Sequence, residues 1–192
     1  MNKDEKLNIT KEKLLQATLK LMEETQDPLK VTSREIAREA DVKPSMINYC
    51  FGSREDLLYE VFQTMYSGLT EDPRVRAALT GNLPPKEVLK EVHFVVAEYL
   101  IDHFTFTQAV TNYIIFKRNL GKESFSFPYV KAHYNGTKTD AECHLIAYEL
   151  STMMQLIIFR KDDIKSDFGL DPNDKKQLRK LIDLRVDLLL GE

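Results

Sequence analysis

Two short predicted helices around a tight turn carry the most informative residues of this chain. Residues 32–40 begin with a capping box formed by Thr32 and Glu35, and residues 44–50 begin with Pro44, which suits the first position of a helix. A pair of short helices joined by a three-residue turn can place its second helix in the major groove of DNA, where side chains reach the edges of the bases. Short helix pairs also occur as plain packing in structural bundles, so spacing alone leaves both interpretations open.

Other kinds of chemistry have little support in the sequence. The patterns of phosphate-binding loops, dinucleotide-binding folds, serine hydrolases and zinc peptidases do not occur, so we predict no catalytic residue, no cofactor and no enzyme activity. None of the four histidines has a histidine partner four positions away, and Cys50 and Cys143 form no close pair. We therefore predict neither a metal site nor a disulfide framework.

The elements that must position the turn residues are predicted to be helices. Apolar residues recur at helical spacing, which indicates an all-α fold of about nine helices without strands. The first helix is predicted to begin at Thr10, and later helices at Ser53, Thr105 and Thr139, where side-chain oxygens could cap free backbone N–H groups. The last helix is predicted to begin at residues 171–172, and residues 122–138 are predicted to be irregular.

The charge of the chain does not by itself indicate nucleic-acid binding. The formal net charge is −3, and residues 1–60 contain ten Lys and Arg against twelve Asp and Glu. Between residues 30 and 54 the balance becomes five against three. Any DNA contact must therefore come from a few placed cations and from helix N-termini. The N-terminus lacks the apolar stretch of a secretory signal and no apolar run approaches membrane-spanning length, so we expect a cytoplasmic protein that does not insert into a membrane.

The residues around the turn closely resemble the signature of TetR-family regulators. The resemblance covers about residues 10–65 and rests on three runs: Thr32-Ser33-Arg34-Glu35-Ile36-Ala37, Ala40-Asp41-Val42, and Ile47-Asn48-Tyr49-Cys50-Phe51-Gly52-Ser53-Arg54-Glu55-Asp56-Leu57. Two positions depart from the family pattern: Asp41 stands where Gly is usual, and Cys50 where His or an aromatic residue is frequent. Because Asp tolerates left-handed backbone better than most residues, we expect the turn to survive.

The resemblance implies a DNA-contacting role for ten residues. Lys43 could pair with phosphate or guanine, Asn48 with adenine, and the Tyr49 hydroxyl with a phosphate. Helix N-termini favour phosphate near the residues that precede or begin a helix. The implied set is Thr32, Ser33, Arg34, Lys43, Ser45, Met46, Asn48, Tyr49, Ser53 and Arg54.

The remainder of the chain is rich in aromatic residues. Ten of the eighteen Phe and Tyr residues lie between residues 94 and 134, mixed with polar side chains, which suits either a small-molecule pocket or an ordinary core. In the resembled family this region binds an inducer, so the resemblance implies a ligand site. The candidate lining residues are Tyr66, Tyr99, His103, Tyr113, Phe116 and Met153.

The last two long helices are predicted to form a dimer interface. Residues 139–161 and 171–190 are apolar enough to be buried on two sides, through intrachain packing or through a four-helix interface with a second copy, as in the family. We thus expect a helix-turn-helix domain at residues 1–52 and a ligand-binding and dimerisation domain at residues 53–192. The expected function is a dimeric repressor that a small-molecule effector releases from a near-palindromic operator in double-stranded DNA. The alternative is a helical ligand-binding or adaptor protein that has lost specific DNA binding.

Overall fold

The computed structural model describes residues 2–25, 28–117 and 124–191. Within these ranges every regular element is helical, which confirms the all-α fold. Short 3₁₀ turns occupy Pro28–Lys30 and Gly68–Glu71. The α-helices are α1 (Lys3–Thr25), α2 (Ser33–Glu39), α3 (Ser45–Phe51), α4 (Arg54–Ser67), α5 (Pro73–Thr80), α6 (Pro85–Asp102), α7 (Phe104–Phe116), α8 (Phe127–Tyr134), α9 (Asp140–Phe159), α10 (Lys161–Phe168) and α11 (Lys175–Leu190).

Two predicted capping boxes are present at helix starts. The Thr32 hydroxyl accepts the backbone N–H of Glu35 at 3.3 Å, and the Glu35 carboxylate accepts the backbone N–H of Thr32 at 2.8 Å. Thr139 and Glu142 repeat this arrangement with the same two distances at the start of α9. In both cases a side-chain oxygen satisfies a backbone donor that the helix itself leaves unpaired.

The predicted start of α1 at Thr10 is wrong. Helix α1 begins well before this residue because the Asn2 side chain accepts the backbone N–H groups of Asp4 and Glu5, at 2.7 and 3.0 Å. Asn is among the strongest N-terminal caps. Thr10 lies inside the helix, where its hydroxyl donates to the Lys6 carbonyl at 2.9 Å.

Two other predicted helix starts also differ from the structure. Helix α7 begins at Phe104, so Thr105 lies in its first turn. Helix α11 begins at Lys175 because the Asp174 carboxylate accepts two backbone N–H groups of the first turn, each at 2.9 Å. The start predicted at residues 171–172 is therefore a few residues too early.

Two short helices were not predicted from the sequence. Helix α8 lies within the stretch of residues 122–138 that was expected to be irregular, and it ends at Asn135, whose φ of 43° is left-handed. Helix α10 follows α9 directly and ends at Gly169. Both have eight residues, about two turns, which is too short for a clear hydrophobic repeat to appear in the sequence. The sequence also places Gly121 just past the end of the helix that begins near Thr105, and this residue lies outside the described ranges.

The chain divides into two compact units. The first comprises Met1–Ser67 and Thr105–Phe116, so it contains α1 to α4 and nearly all of α7. Its buried apolar side chains include Leu14, Met22, Val31, Ile36, Ala37, Ile47, Leu57, Leu58, Val61, Phe62, Val110 and Ile114. This unit is larger than the domain predicted at residues 1–52, and that functional boundary stays a prediction.

Helix α6 is central to the second unit, which comprises Gly68–Phe104 and Lys117–Glu192. It packs against α5, α8, α9 and α11. His93 on α6 is buried, its Nε2 lies 2.8 Å from the Ser126 hydroxyl, and desolvation lowers its pKa to about 4, so the ring is neutral at pH 7. The buried Glu98 carboxylate is paired with Arg74 and, at 2.9 Å, with Lys175.

None of the helices in the described ranges is long and apolar enough to cross a bilayer.

Asp41 provides a test of the turn between α2 and α3. Its φ is 52°, in the left-handed region. This conformation is expected at a position where the resembled family usually has Gly. We expect Asp41→Val to lower the free energy of unfolding by about 1 to 2 kcal/mol, because a β-branched residue is strained there. The matched variant Asp41→Gly should stay within about 1 kcal/mol of wild type. Urea denaturation measures both, and equal stability of the Val and Gly variants would contradict this explanation of the turn.

Candidate DNA interface

Helix α3 has one buried side and one exposed polar side. Ile47 is 1% exposed and faces the core of the first unit. On the opposite side Ser45 and Asn48 are exposed, and the Tyr49 side chain is 61% exposed. Since a tyrosine ring is usually at least partly covered, such exposure indicates a surface available to a partner. This side presents a hydroxyl, an amide and a phenol, which are the donors and acceptors that read base edges and phosphates.

The turn before α3 is held by backbone hydrogen bonds. The Val42 N–H donates to the Ala37 carbonyl at 2.9 Å, and the Lys43 carbonyl accepts the Met46 N–H at 2.9 Å. The Lys43 side chain is exposed. The turn therefore fixes a cation beside the first residues of α3.

The start of α2 combines a cap with an exposed cation. The Thr32 hydroxyl donates to the Glu35 carboxylate at 2.7 Å, and hydrogen bonds from Thr32 lower the pKa of Glu35, which stays ionised at neutral pH. Ser33 is half-buried and Arg34 is exposed. A phosphate contact by the Thr32 hydroxyl would require it to leave Glu35, whereas Arg34 can reach outward without breaking the cap.

The start of α4 is held by two side chains of the predicted set. The Ser53 hydroxyl donates to Asp56 Oδ2 at 2.5 Å and accepts the Asp56 backbone N–H at 3.0 Å. Arg54 Nε donates to the Val31 carbonyl at 2.6 Å, and its Nη2 donates to the Leu29 carbonyl at 3.1 Å. Arg54 thus connects α4 to the segment that leads into α2. Arg54 Nη1 also donates to the Glu55 carboxylate at 3.3 Å, so a phosphate contact by Arg54 would compete with these partners.

All ten predicted DNA-contacting residues lie in the first unit, around α3 and the starts of α2 and α4, but they differ in exposure. Six side chains are exposed and four are half-buried. The exposed residues are Thr32, Arg34, Lys43, Ser45, Asn48 and Tyr49. The half-buried residues are Ser33, Met46, Ser53 and Arg54.

Lys11 on α1 is a nearby cation that the sequence did not single out. Its Nζ lies 6.0 Å from the ring centroid of Phe51, at the end of α3. Burial raises the pKa of the neighbouring Cys50 thiol, and the charge of Lys11 opposes this shift. The two residues are about forty positions from Lys11 in sequence, so only the packing of α1 on α3 reveals the contact.

The six candidate ligand-lining residues fall into two sets. Tyr66, Tyr113 and Phe116 lie in the first unit, and Tyr99, His103 and Met153 lie in the second. In the second unit the rings of Tyr99 and His103 are 4.3 Å apart, and burial raises the pKa of Tyr99. In the first unit Tyr113 stacks on Tyr59 at 4.4 Å, whereas Phe116 is 79% exposed.

An open groove of about 630 Å³ lies on the first unit, between α1 and the end of α2. Its lining includes the ion pair of Lys20 with Glu39, at 2.6 Å, and apolar atoms of Ile9 and Ala17. With regard to metals, the described parts of the chain contain no group of three His, Cys, Asp or Glu side chains placed to hold an ion.

Two comparisons with known proteins give matches, one to a sequence family and one to a fold. Residues 14–61 match the family described as bacterial regulatory proteins, tetR family. A solved structure of a TetR-like transcriptional regulator from Rhodococcus sp. RHA1 matches with a TM-score of 0.51 at 14% sequence identity, covering 95% of this chain and 97% of that chain. At this identity the likeness shows a shared fold. A search of curated proteins gives no match.

Arg54 provides a test of how α4 is attached. We expect Arg54→Lys to lower the free energy of unfolding by about 1 to 2 kcal/mol, because an ammonium group cannot reproduce the fork that donates to two carbonyls. Arg38→Lys is the matched control, since Arg38 is exposed on α2, and it should change stability by less than about 0.5 kcal/mol. Urea denaturation of both variants measures the difference. If both were equally stable, Arg54 would not be holding the segment before α2.

Proposed function

We propose that the chain is a member of the TetR family of bacterial regulatory proteins, whose family model matches residues 14–61, and that it acts as a dimeric repressor that a small molecule releases from its operator. Proteins of this family are DNA-binding transcription regulators and not enzymes. Regulation by DNA binding therefore follows from membership in the family. We propose three further points: the protein represses transcription, it acts as a dimer, and an effector releases it from DNA.

The exposed polar side of α3 is the observation that carries the proposal. Ile47 packs into the core of the first unit and holds the helix there. Ser45, Asn48 and Tyr49 are exposed to solvent on the other side of the helix, and the exposed Lys43 precedes them in the turn. A chain with a net charge of −3 has no general attraction for DNA, so binding must depend on contacts placed at this surface. Asn48 suits the edge of an adenine, and Lys43 and Tyr49 suit phosphates or a guanine.

The proposed dimer doubles this small reading surface. A helix of seven residues spans few base pairs, and two copies related by a two-fold axis read a near-palindromic site. Large apolar side chains on α9 and α11 are exposed in the single chain: Leu145 by 56%, Leu184 by 55% and Leu188 by 68%. Exposed leucines on the two longest C-terminal helices support an interface between copies there.

The proposed effector acts by differential affinity. A ligand that binds more tightly to a conformation unable to match successive grooves shifts the population away from the DNA-bound form. The adjacent rings of Tyr99 and His103 in the second unit, tilted by 49° to each other, support a site for a ligand with flat, apolar surface. Repression is proposed because release by a ligand gives regulation without a further partner.

The DNA contacts can be tested with a duplex that the wild-type protein selects from a random-sequence library. We expect Lys43→Ala to weaken binding and to reduce the slope of log K against log salt by about one per subunit, because one phosphate contact is lost. Tyr49→Ala should weaken binding with little change in slope, because the lost group is neutral. Fluorescence anisotropy over a salt series measures both quantities.

The matched control is Lys176→Ala, which removes an exposed cation at the start of α11 in the other unit. Its affinity and slope should equal those of wild type. Wild-type affinity for both the Lys43 and Tyr49 variants would place the DNA interface elsewhere. If the wild-type protein selects no duplex at all, the regulator proposal itself is contradicted.

The dimer can be tested by replacing one exposed leucine of α11. We expect Leu188→Asp to shift the protein from dimer to monomer in light scattering, because a carboxylate would be buried without a partner at the interface. Leu83→Asp is the control, since Leu83 is 43% exposed in the segment before α6, and it should remain dimeric. A dimeric Leu188→Asp protein, or a monomeric wild-type protein at micromolar concentration, would contradict the proposed interface.

A further inference from the structure

Helix α11 carries a stripe of side chains that its own chain does not cover completely. Leu181, Arg185 and Leu188 follow one another at a spacing of four and then three residues, so they lie on one side of the helix. Leu188 is 68% exposed, and Leu181 and Arg185 are half-buried. The core side of the helix is formed by other residues, among them Ile182 and Val186. This α11 stripe therefore places one guanidinium between two leucines.

Helix α9 carries a matching stripe with a charge of the opposite sign. Its members recur at a spacing of four, three and four residues and so share one side of the helix: Leu145, Glu149, Thr152 and Leu156. Leu145 is 56% exposed, and the other three side chains are half-buried. This α9 stripe places one carboxylate among leucines. Because α9 and α11 pack against each other in the second unit, the two stripes lie on adjacent helices.

Other charges of α11 are paired with charges of α6. The Asp187 carboxylate lies 2.7 Å from Lys86 Nζ and 2.9 Å from Lys90 Nζ. Arg179 donates to the Glu91 carboxylate at 2.8 Å. The chain thus supplies partners for these charges of α11 where the helix meets α6.

The charges of the two stripes are not paired in this way. Within the described parts of the chain, Arg185 and Glu149 form neither an ion pair nor a side-chain hydrogen bond. Arg185 Nε is buried and has no acceptor. A half-buried charge loses hydration, and proteins normally compensate this loss with a partner of opposite charge. The missing partners are therefore expected outside the single chain.

We propose that Arg185 of one copy forms an ion pair with Glu149 of a second copy, and that the two-fold axis of the dimer repeats this pair. The inference rests on the proposed function, because it specifies the interface of the proposed dimer. The exposed leucines of both stripes would surround each pair and exclude water, which strengthens the attraction. If each stripe met its own copy instead, like charges would face each other. Charge complementarity thus favours α11 against the α9 helix of a second copy.

Reversal of single charges in the whole chain tests this pairing. Arg185→Glu sets two carboxylates opposite each other, and Glu149→Arg sets two guanidinium groups opposite each other, twice in each dimer. Analytical ultracentrifugation should show a dimer Kd raised about a hundredfold by each substitution, because a close charge pair contributes about tenfold and the dimer has two. The control is Lys176→Glu, which reverses an exposed charge at the start of α11 outside the stripe and should dimerise like wild type.

Mixing the two reversed variants separates a pair between copies from a loss of folding. An equimolar mixture of Arg185→Glu and Glu149→Arg should form a mixed dimer with a Kd within about tenfold of wild type, because each contact again joins a carboxylate to a guanidinium. The double variant Arg185→Glu/Glu149→Arg should dimerise with itself for the same reason. Neither an unfolded variant nor a pair inside one chain would regain the dimer on mixing.

The outcomes distinguish this inference from the dimer on which it rests. Dimeric wild type with an unchanged Kd in both reversed variants overturns the inference and leaves the proposed dimer intact. Restoration in the double variant but not in the mixture also overturns it, because that pattern means a pair within one chain. Loss of the dimer that neither the mixture nor the double variant restores overturns it as well. A monomeric wild-type protein at micromolar concentration contradicts the proposed dimer and the pair together.

Discussion

Burial of Ile47 is the constraint on which the proposed DNA-reading surface depends. A helix of seven residues is too short to be stable by itself in water, so α3 must be held by its packing. Ile47 is almost fully buried with Ile36 of α2 and Leu57 of α4 in the core of the first unit. Burial of such side chains contributes about 1.5 to 3 kcal/mol each. Because Ile47 points inward, Ser45, Asn48 and Tyr49 are obliged to point outward.

Polar contacts then set the direction in which this packed helix points. The left-handed Asp41 turns the chain before α3, and the Ser53–Asp56 cap and Arg54 define where the chain goes after it. The reading surface is therefore defined at both ends by short hydrogen-bonded segments, whose geometry is more specific than apolar packing. A protein with a slightly negative net charge depends on such precision, because it cannot rely on general attraction to the phosphate backbone.

Local sequence signals predicted the cap of α2 and the turn before α3 well because this structure is determined locally. The capping box at Thr32 and the turn at Asp41 involve residues close in sequence, and both are present in the structure. Contacts between distant residues gave no such signal: the Arg54 bonds to Val31 and Leu29 and the Lys11 contact with Phe51 appear only when the helices pack. The aromatic residues illustrate the same limit, since composition suited either a pocket or an ordinary core and did not predict that Tyr113 lies on Tyr59 of α4.

The most direct measurement is the mapping of backbone amide chemical shifts on addition of the selected duplex, with a scrambled duplex as reference. We expect the largest chemical-shift changes specific to the selected duplex at residues 43–49, followed by the starts of α2 and α4. In the second unit, the amide chemical shifts of surface residues outside the proposed dimer helices should change little. Specific changes concentrated outside residues 32–54, or identical changes with both duplexes, would contradict the claim that α3 reads the operator.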